Sequence, residues 1–223
     1  MNEIICADCL DILKSMPDKS VDLVLTDPPY GIGIGRNGSV GGGSMRGAVH
    51  GIGDASWDVD RVDSEYIREC MRVGVNCIVF GGNYYADILP PSRCWVVWYK
   101  HEGLPDRTFA DAELAWTSFD RNTVVCSVRW DGFIRDSREA KTIHPTQKPL
   151  EVMRWILERF SNEGDTILDP FAGSGTTCVA AKILGRKYIG IEISPVYAAI
   201  ARKRVEQAQY EERLDFCTMK VGV

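Results

Sequence analysis

The tetrapeptide Asp27-Pro28-Pro29-Tyr30 places a carboxylate, two prolines and a phenol directly after the apolar run at 21–26. Proline lacks a backbone donor and holds the chain in an extended or turn geometry, so the predicted strand must end there. Ligands of open α/β sheets bind at the carboxyl ends of the strands. The tetrapeptide therefore predicts a ligand site in which Asp27 holds a polar group.

A second candidate site begins where a predicted strand ends in Asp169. A tight turn with Gly173 and Gly175 follows, and a helix starts at Thr176. Glycines let a ligand approach the backbone, while a helix N-terminus offers free N–H groups and a positive dipole end. The next strand ends in Glu192, where an acidic side chain binds ribose hydroxyls in two-unit nucleoside sites. The spacing favours a nucleoside site; the alternative is an ordinary glycine turn with Glu192 on the surface.

Alternating apolar runs and amphipathic stretches must position these groups. Strands are predicted at 3–6, 21–26, 76–80, 94–100, 112–119, 123–130, 166–168 and 188–192, and helices at 9–16, 63–73, 150–160, 176–184 and 195–212. The alternation at both ends implies parallel strands with crossover helices, and the consecutive middle strands suggest an antiparallel edge. The predicted fold class is α/β, one domain over 1–223 with a mostly parallel twisted sheet and helices on both faces.

The composition is that of an ordinary soluble globular protein, with 45% hydrophobic and 26% charged residues among 223. No apolar run approaches the length of a membrane span, and the N-terminus lacks a signal-peptide pattern, so no membrane partner is expected. Most cysteines lie in apolar segments, as buried free thiols do in a reducing cytoplasm. The pair Cys6 and Cys9 lacks two further ligands at suitable spacing, so no metal is expected.

The segment 31–53 holds 10 of the 21 glycines and no acidic residue. Ordering such a segment costs much conformational entropy, so it is predicted to be a mobile glycine-rich loop next to Tyr30.

Four motifs together carry a family resemblance. DPPY at 27–30 and DPFAGSGTT at 169–177, with ADCLDIL at 7–13 and HPTQKP at 144–149, resemble the amino-group DNA methyltransferases that use S-adenosylmethionine. Finding DPPY before the cofactor loop is the order of the β class, and Ala7 replaces the family's usual glycine. The resemblance spans residues 7 to about 197 and implies a Rossmann-like methyltransferase domain.

The resemblance also assigns residues to the cofactor. It implies that Asp8 meets the adenine amino group, that Glu192 binds the ribose, and that Thr146 and Lys148 lie on the methionine side. The alternative for Lys148 is a solvated surface charge. The full set of implied cofactor-binding residues is Asp8, Thr146, Lys148, Asp169, Phe171, Gly173, Gly175, Thr176 and Glu192.

The first motif suits methyl transfer to an exocyclic amine, whose lone pair is delocalised into the base. The Asp27 carboxylate would accept one N–H and the Pro28 carbonyl the other, restoring electron density at nitrogen. The rigid Pro28-Pro29 pair keeps both acceptors in place. Tyr30 offers a flat face for a base flipped out of the duplex at a cost of roughly a few kcal/mol. Tyr84, after another strand, is a further candidate for the base pocket. The structural alternative is a simple turn with Tyr30 packed inward.

Basic residues indicate where DNA would bind. The segment 121–148 carries six Lys/Arg against three acids in a chain of net charge −5, and the glycine-rich loop adds two arginines. Phosphate contacts from such residues would set the register on DNA, although surface charge is the alternative for most of them. The predicted DNA-binding residues are Arg36, Arg46, Arg129, Arg135, Arg138 and Lys141.

Residues 120–143 form a small candidate target-recognition segment. The family usually carries a larger insert here, and so small a segment makes a homodimer attractive. The expected function is site-specific methylation of adenine N6 in double-stranded DNA. Alternatives are cytosine-N4 methylation, an RNA or protein substrate, and a catalytically silent binding module; Asp27 tilts the choice toward adenine.

Overall fold

The computed structural model describes residues 2–31, 60–100, 110–129 and 147–211. The predicted glycine-rich loop after Gly31 and the part of the recognition segment beyond Arg129 lie outside the described residues. The same holds for the predicted site residues Arg36, Arg46, Arg135, Arg138, Lys141 and Thr146.

Eight strands form one sheet in the order β1-β8-β7-β2-β3-β5-β4-β6. Each neighbouring pair is parallel except the two that involve β5. The predicted mostly parallel α/β domain is therefore confirmed. The strands are β1 Glu3–Cys6, β2 Val21–Thr26, β3 Gly74–Phe80, β4 Trp95–Tyr99, β5 Ala112–Thr117, β6 Val124–Ser127, β7 Thr166–Asp169 and β8 Lys187–Glu192.

The reversed strand lies inside the sheet, between β3 and β4, rather than at its edge. The edge strand β6 pairs in parallel with β4 and not with its sequence neighbour β5. The connection between β5 and β6 passes the start of β4, where Arg93 binds Asp120 at 2.9 Å and Asn122 at 3.1 Å. The backbone N–H of Trp95 donates to the Thr123 hydroxyl at 3.2 Å, which directs the chain to the far side of β4.

The helices are α1 Cys9–Ser15, α2 Ser64–Val73, α3 Leu150–Phe160, α4 Thr176–Ile183 and α5 Pro195–Gln207, with a short 3-10 helix at Gly82–Tyr85. The last helix ends five residues before the predicted bound of 212, because Ala208 is extended. Beyond it the chain folds back on the domain: the Glu211 N–H donates to the Ile183 carbonyl at 2.9 Å, and the Glu211 carboxylate binds Arg154 at 2.7 Å.

The helices cover both faces of the sheet, as predicted. Alternate residues of each strand point to opposite faces, so two apolar layers form. One layer holds α3, α4 and α5, and the other holds α1 and α2. Representative core residues are Leu25, Phe80, Ile156, Val179 and Ala198 on the first face, and Val24, Val79, Leu13 and Ile67 on the second. Within the described ranges, no helix has the length and hydropathy needed to cross a membrane.

Candidate active site

The turn after β2 holds Asp27 at the carboxyl end of a central strand. The Pro29 carbonyl accepts hydrogen bonds from the Tyr85 hydroxyl at 2.5 Å and from the Val62 N–H at 3.4 Å. Tyr85 is fully buried, and Pro28 is buried as well. The 3-10 helix after β3 therefore anchors the two-proline turn from behind, and the backbone around Asp27 has little freedom.

Both oxygens of the Asp27 carboxylate have partners. Oδ1 accepts the Tyr30 hydroxyl, and Oδ2 accepts the Lys148 ammonium. Lys148 Nζ also lies 3.2 Å from Glu113 Oε2 on β5, and Lys100 donates to Glu113 Oε1. Lys148 is only 9% exposed and is not a solvated surface charge. These four charged residues, Asp27, Lys100, Glu113 and Lys148, are called the acid–lysine cluster below.

Burial and neighbouring charges set the ionisation of this cluster. Burial raises the pKa of Asp27, and the Glu113 charge adds to that while Lys148 opposes it. Burial would also raise the pKa of Glu113, but the charges of Lys148 and Lys100 outweigh it and hold that pKa below its ordinary value. Burial alone would lower the pKa of Lys148, whereas Asp27 and Glu113 raise it. Lys148 and Glu113 are therefore both charged at neutral pH.

Tyr30 packs against the end of β3. Its ring stacks on Tyr84 with centroids 5.0 Å apart and planes 18° apart. A Cβ added at Gly81 would overlap the Tyr30 ring, so only glycine fits beneath it. Burial raises the pKa of Tyr30, and the Asp27 charge adds to this, so the phenol stays protonated and donates. The structure thus brings Tyr84 into the candidate site.

The two glycines of the second turn face different surroundings. Gly173 has φ 51°, and a Cβ added there would meet no atom within 4 Å. Gly175 has φ 81°, and its Cβ would lie 2.8 Å from the Cβ of Ala201 on α5. Both backbones are left-handed, which favours glycine. Gly173 is open to a ligand, whereas Gly175 serves the packing of α4 on α5.

Glu192 at the end of β8 ties the glycine turn to α5. Its Oε2 accepts the Gly173 N–H at 2.8 Å, and its Oε1 accepts the Ser194 N–H at 2.8 Å. Burial raises the pKa of this carboxyl. Each carboxylate oxygen has a second lone pair, so a ligand hydroxyl can still donate to Glu192.

Asp169 ends β7 next to the strand that carries Asp27. It is 4% exposed and accepts hydrogen bonds from the Thr26 hydroxyl at 2.9 Å and the Phe171 N–H at 3.2 Å. Burial raises its pKa to about 6. The bond from Thr26 joins the residue before Asp27 to the first residue of the glycine-turn motif.

Arg204 of α5 holds the glycine turn from the other side. Its Nη1 donates to the Ser174 carbonyl at 2.7 Å and to the Thr176 hydroxyl at 3.1 Å. The Ser174 hydroxyl in turn donates to Gln147 at 3.1 Å. The predicted cofactor residue Thr176 is thus buried with its hydroxyl bound by Arg204. No local signal in the sequence marks Arg204 for this task.

Asp8 lies beside Glu192, because β1 and β8 are paired and the Ala7 N–H donates to the Glu192 carbonyl at 3.2 Å. Asp8 caps α1 by accepting the Leu10 N–H at 2.9 Å. The Tyr66 hydroxyl of α2 lies 3.2 Å from both Asp8 oxygens, and the Tyr66 ring is 6.0 Å from that of Phe171. Tyr66 therefore joins two predicted cofactor residues, although the sequence did not indicate it.

The predicted DNA-binding set is represented in the described residues by Arg129 alone. Arg129 is partly buried and follows β6, whose carboxyl end points to the same sheet edge as that of β2. It lies at the outer end of that edge, away from Asp27. Across the described ranges there is no group of three or more His, Cys, Asp or Glu side chains that would hold a metal ion.

Known proteins resemble this chain in sequence and in fold. Residues 100–203 match the family model described as DNA methylase, for N6 and N4 methyltransferases. The type II methyltransferase M.HpaI of Haemophilus parainfluenzae is 26% identical over 261 residues, which cover 96% of this chain and 79% of that protein.

Solved structures are similar over nearly the whole chain. M1.HpyAVI, crystallised as a complex with SAM, superposes with a TM-score of 0.58 at 27% identity, covering 92% of this chain and 99% of that one. The cytosine-N4-specific PvuII DNA methyltransferase gives a TM-score of 0.59 at 17% identity, over 92% and 86% of the two chains, and this shows a shared fold. Both motifs lie on one sheet edge, and the chain is similar in sequence and fold to the N6 and N4 amino-group DNA methyltransferases.

Proposed function

We propose that this protein transfers a methyl group from S-adenosylmethionine to the exocyclic N6 of an adenine flipped out of duplex DNA. One observation carries the proposal: Thr26 donates to Asp169 at 2.9 Å between the paired strands β2 and β7. The carboxylate that would hold the amine therefore stands next to the glycine turn that would hold the methyl donor.

The residues at the glycine turn fit this donor. A ligand can lie against the open backbone at Gly173, with Glu192 accepting the ribose hydroxyls and Asp8 accepting the adenine amino group. Phe171 supplies an apolar surface next to Tyr66. Bound S-adenosylmethionine would supply an electrophilic methyl group on its sulfonium. Lys148, which the resemblance assigns to the methionine side, lies against Asp27.

The amine would be held by two acceptors. Asp27 accepts one N–H and the Pro28 carbonyl the other, which raises electron density on nitrogen. Tyr85 fixes the turn through the Pro29 carbonyl, so the acceptors need little reorganisation during the reaction. The proton can leave after the amine has become cationic, so Asp27 need not be a strong base.

The decisive experiment is mass analysis of nucleosides from DNA of methylation-deficient cells that express the protein. We expect N6-methyladenine. Finding N4-methylcytosine instead would identify cytosine rather than adenine as the base that is methylated. Finding neither methylated base would contradict the proposed function.

The matched variant is Asp27→Ala. It is expected to abolish methyl transfer while changing the dissociation constant for S-adenosylmethionine by only a few-fold, since Asp27 contacts the amine and not the donor. Asp18→Ala, which removes an exposed carboxylate paired with Arg72, serves as the control and should retain activity. Turnover by Asp27→Ala like that of the wild type would remove Asp27 from the mechanism.

A further inference from the structure

The hydrogen bonds that Asp27 makes conflict with its proposed task. Oδ1 accepts the Tyr30 hydroxyl and Oδ2 accepts the Lys148 ammonium, so each oxygen already has a donor. A substrate amine must take over one of these positions. Tyr30 is an uncharged donor and can leave by losing one hydrogen bond, whereas the ammonium of Lys148 carries a full charge.

Lys148 cannot exchange Asp27 for water. Its side chain is 9% exposed, and its Nζ lies 5.1 Å from the ring centroid of Phe80 and 5.8 Å from that of Tyr30. A buried ammonium without a carboxylate costs several kcal/mol. Lys148 therefore needs a second acceptor within reach before it can release Asp27.

Glu113 presents that acceptor. Its Oε1 is held by Lys100, while its Oε2 is buried and already forms an ion pair with Lys148 Nζ at 3.2 Å. A small rotation of the Lys148 ammonium would make Glu113 Oε2 its main hydrogen-bond acceptor in place of Asp27.

We propose that Glu113 is a positioning residue that takes over the hydrogen bond of Lys148 when the substrate amine binds Asp27. This inference rests on the proposed methyl transfer and names a residue that acts through Lys148. Lys148 turns from Asp27 Oδ2 to Glu113 Oε2, no proton is transferred, and the vacated oxygen accepts the amine N–H. The exchange also moves the ammonium away from the nitrogen that becomes cationic on methylation.

The test is Glu113→Gln, assayed with tritiated S-adenosylmethionine and DNA that the wild type methylates. Loss of a charged acceptor leaves Lys148 on Asp27, so kcat should fall at least about tenfold. The KM values for DNA and donor should stay within about threefold, because Glu113 touches neither. Glu113→Asp keeps the charge and should recover part of kcat.

Two comparisons separate positioning from a structural effect. Glu69→Gln removes a half-buried carboxylate from its pair with Arg72 on α2 and should leave kcat unchanged. In a Lys148→Gln background, adding Glu113→Gln should lower kcat by less than about twofold, because the residue through which Glu113 acts is gone.

The inference fails if Glu113→Gln keeps kcat within about twofold, if only KM changes, or if the same loss persists without Lys148. Should Glu113→Gln not fold, a crystal structure of the wild type with its DNA and a donor analogue decides: Lys148 Nζ is expected nearer to Glu113 than to Asp27, and the reverse would overturn the proposal. Absence of methylation by the wild type would instead contradict the proposed function.

Discussion

Four carboxylates at one edge of the sheet differ in pKa because their surroundings differ. Glu113 forms ion pairs with both Lys100 and Lys148 and stays ionised. Asp27 contacts only Lys148, which it shares with Glu113, and its pKa is raised. Asp169 has neutral donors, the hydroxyls of Thr26 and Thr177 and the Phe171 N–H, and Glu192 is held by backbone N–H groups. Environments that push pKa values apart are how one site assigns different tasks to like residues.

Asp169 should titrate near pH 6 in the donor-free protein, because burial raises its pKa from 3.8 to about 6. The folded state then binds this proton more tightly than the unfolded state. The stability that Asp169 contributes is present below pH about 4 and is lost as the pH rises through about 6.

Carboxyl carbon NMR with pH titration measures this directly. Asp87 is the internal control, since its hydrogen bonds with Arg61 lower its pKa below 3.8. A midpoint for Asp169 at or below 4 would show that the buried site stabilises the charged form.

Tyr66→Phe should weaken binding of S-adenosylmethionine by about three- to tenfold and leave kcat at saturation unchanged. The variant removes the hydroxyl that lies 3.2 Å from both Asp8 oxygens, so Asp8 keeps only its bond from Leu10 and can rotate. Calorimetry gives the dissociation constant. Tyr210→Phe, which removes an exposed hydroxyl bonded to Glu163, should bind normally. Equal binding by Tyr66→Phe and wild type would place the adenine elsewhere.

At the scale of elements, the glycine turn is held by three parts of the fold. β8 reaches it through Glu192, α5 reaches it through Arg204, and Gln147 before α3 bonds Ser174. A turn fixed from several sides keeps its N–H groups in place for a ligand without reordering. The geometry of the glycine turn therefore depends on β8, on α5 and on the residue that precedes α3.

Gly173→Ala and Gly175→Ala should separate binding from stability. Each alanine is strained at positive φ by about 1–2 kcal/mol. Gly175→Ala also overlaps Ala201, so its free energy of unfolding should fall by about 3 kcal/mol in total, against about 1 kcal/mol for Gly173→Ala.

Gly173→Ala, in contrast, should weaken donor binding by at least about tenfold, because its methyl group enters the space open to the ligand. Urea unfolding and calorimetry on both variants check the pair. Donor affinity unaffected by Gly173→Ala would contradict the position of the donor.

For the molecule as a whole, the sheet order places every candidate site residue that the structure describes at one edge. The carboxyl ends of β1, β8, β7, β2 and β3 lie side by side, which brings both motifs together although Asp27 and Asp169 are 142 positions apart. The chain has a net charge of −5, so DNA binding requires a local basic surface. The homodimer inferred from the small recognition segment stays a prediction.

Arg36→Ala with Arg46→Ala should weaken DNA binding and lower its salt slope by up to about two units, since each lost phosphate contact removes about 0.9. This expectation rests on sequence alone, because both arginines lie outside the described residues. Binding measured across salt concentrations tests it, with donor affinity unchanged. The control is Lys187→Ala, which also removes a positive charge but lies at the amino end of β8. A salt slope identical to that of the wild type would remove these arginines from the interface.

The sequence by itself determined what depends on neighbouring residues. Apolar runs predicted the strands, and the two prolines marked where β2 ends. The left-handed backbone at Gly173 and Gly175 explains the predicted turn, and the acids Asp169 and Glu192 end their strands as expected. Such features follow from backbone sterics and hydrophobic periodicity, which act within a few residues.

The tertiary structure alone decided which distant groups meet. Glu113 sits in an ordinary strand pattern, and only the interior placement of β5 brings it to Lys148. Tyr66, Tyr85 and Arg204 reach the site from other helices. The parallel pairing of β6 likewise depends on the turn around β4. These contacts join residues far apart in the chain, and their gain depends on burial and charge pairing that exist only after the sheet has assembled.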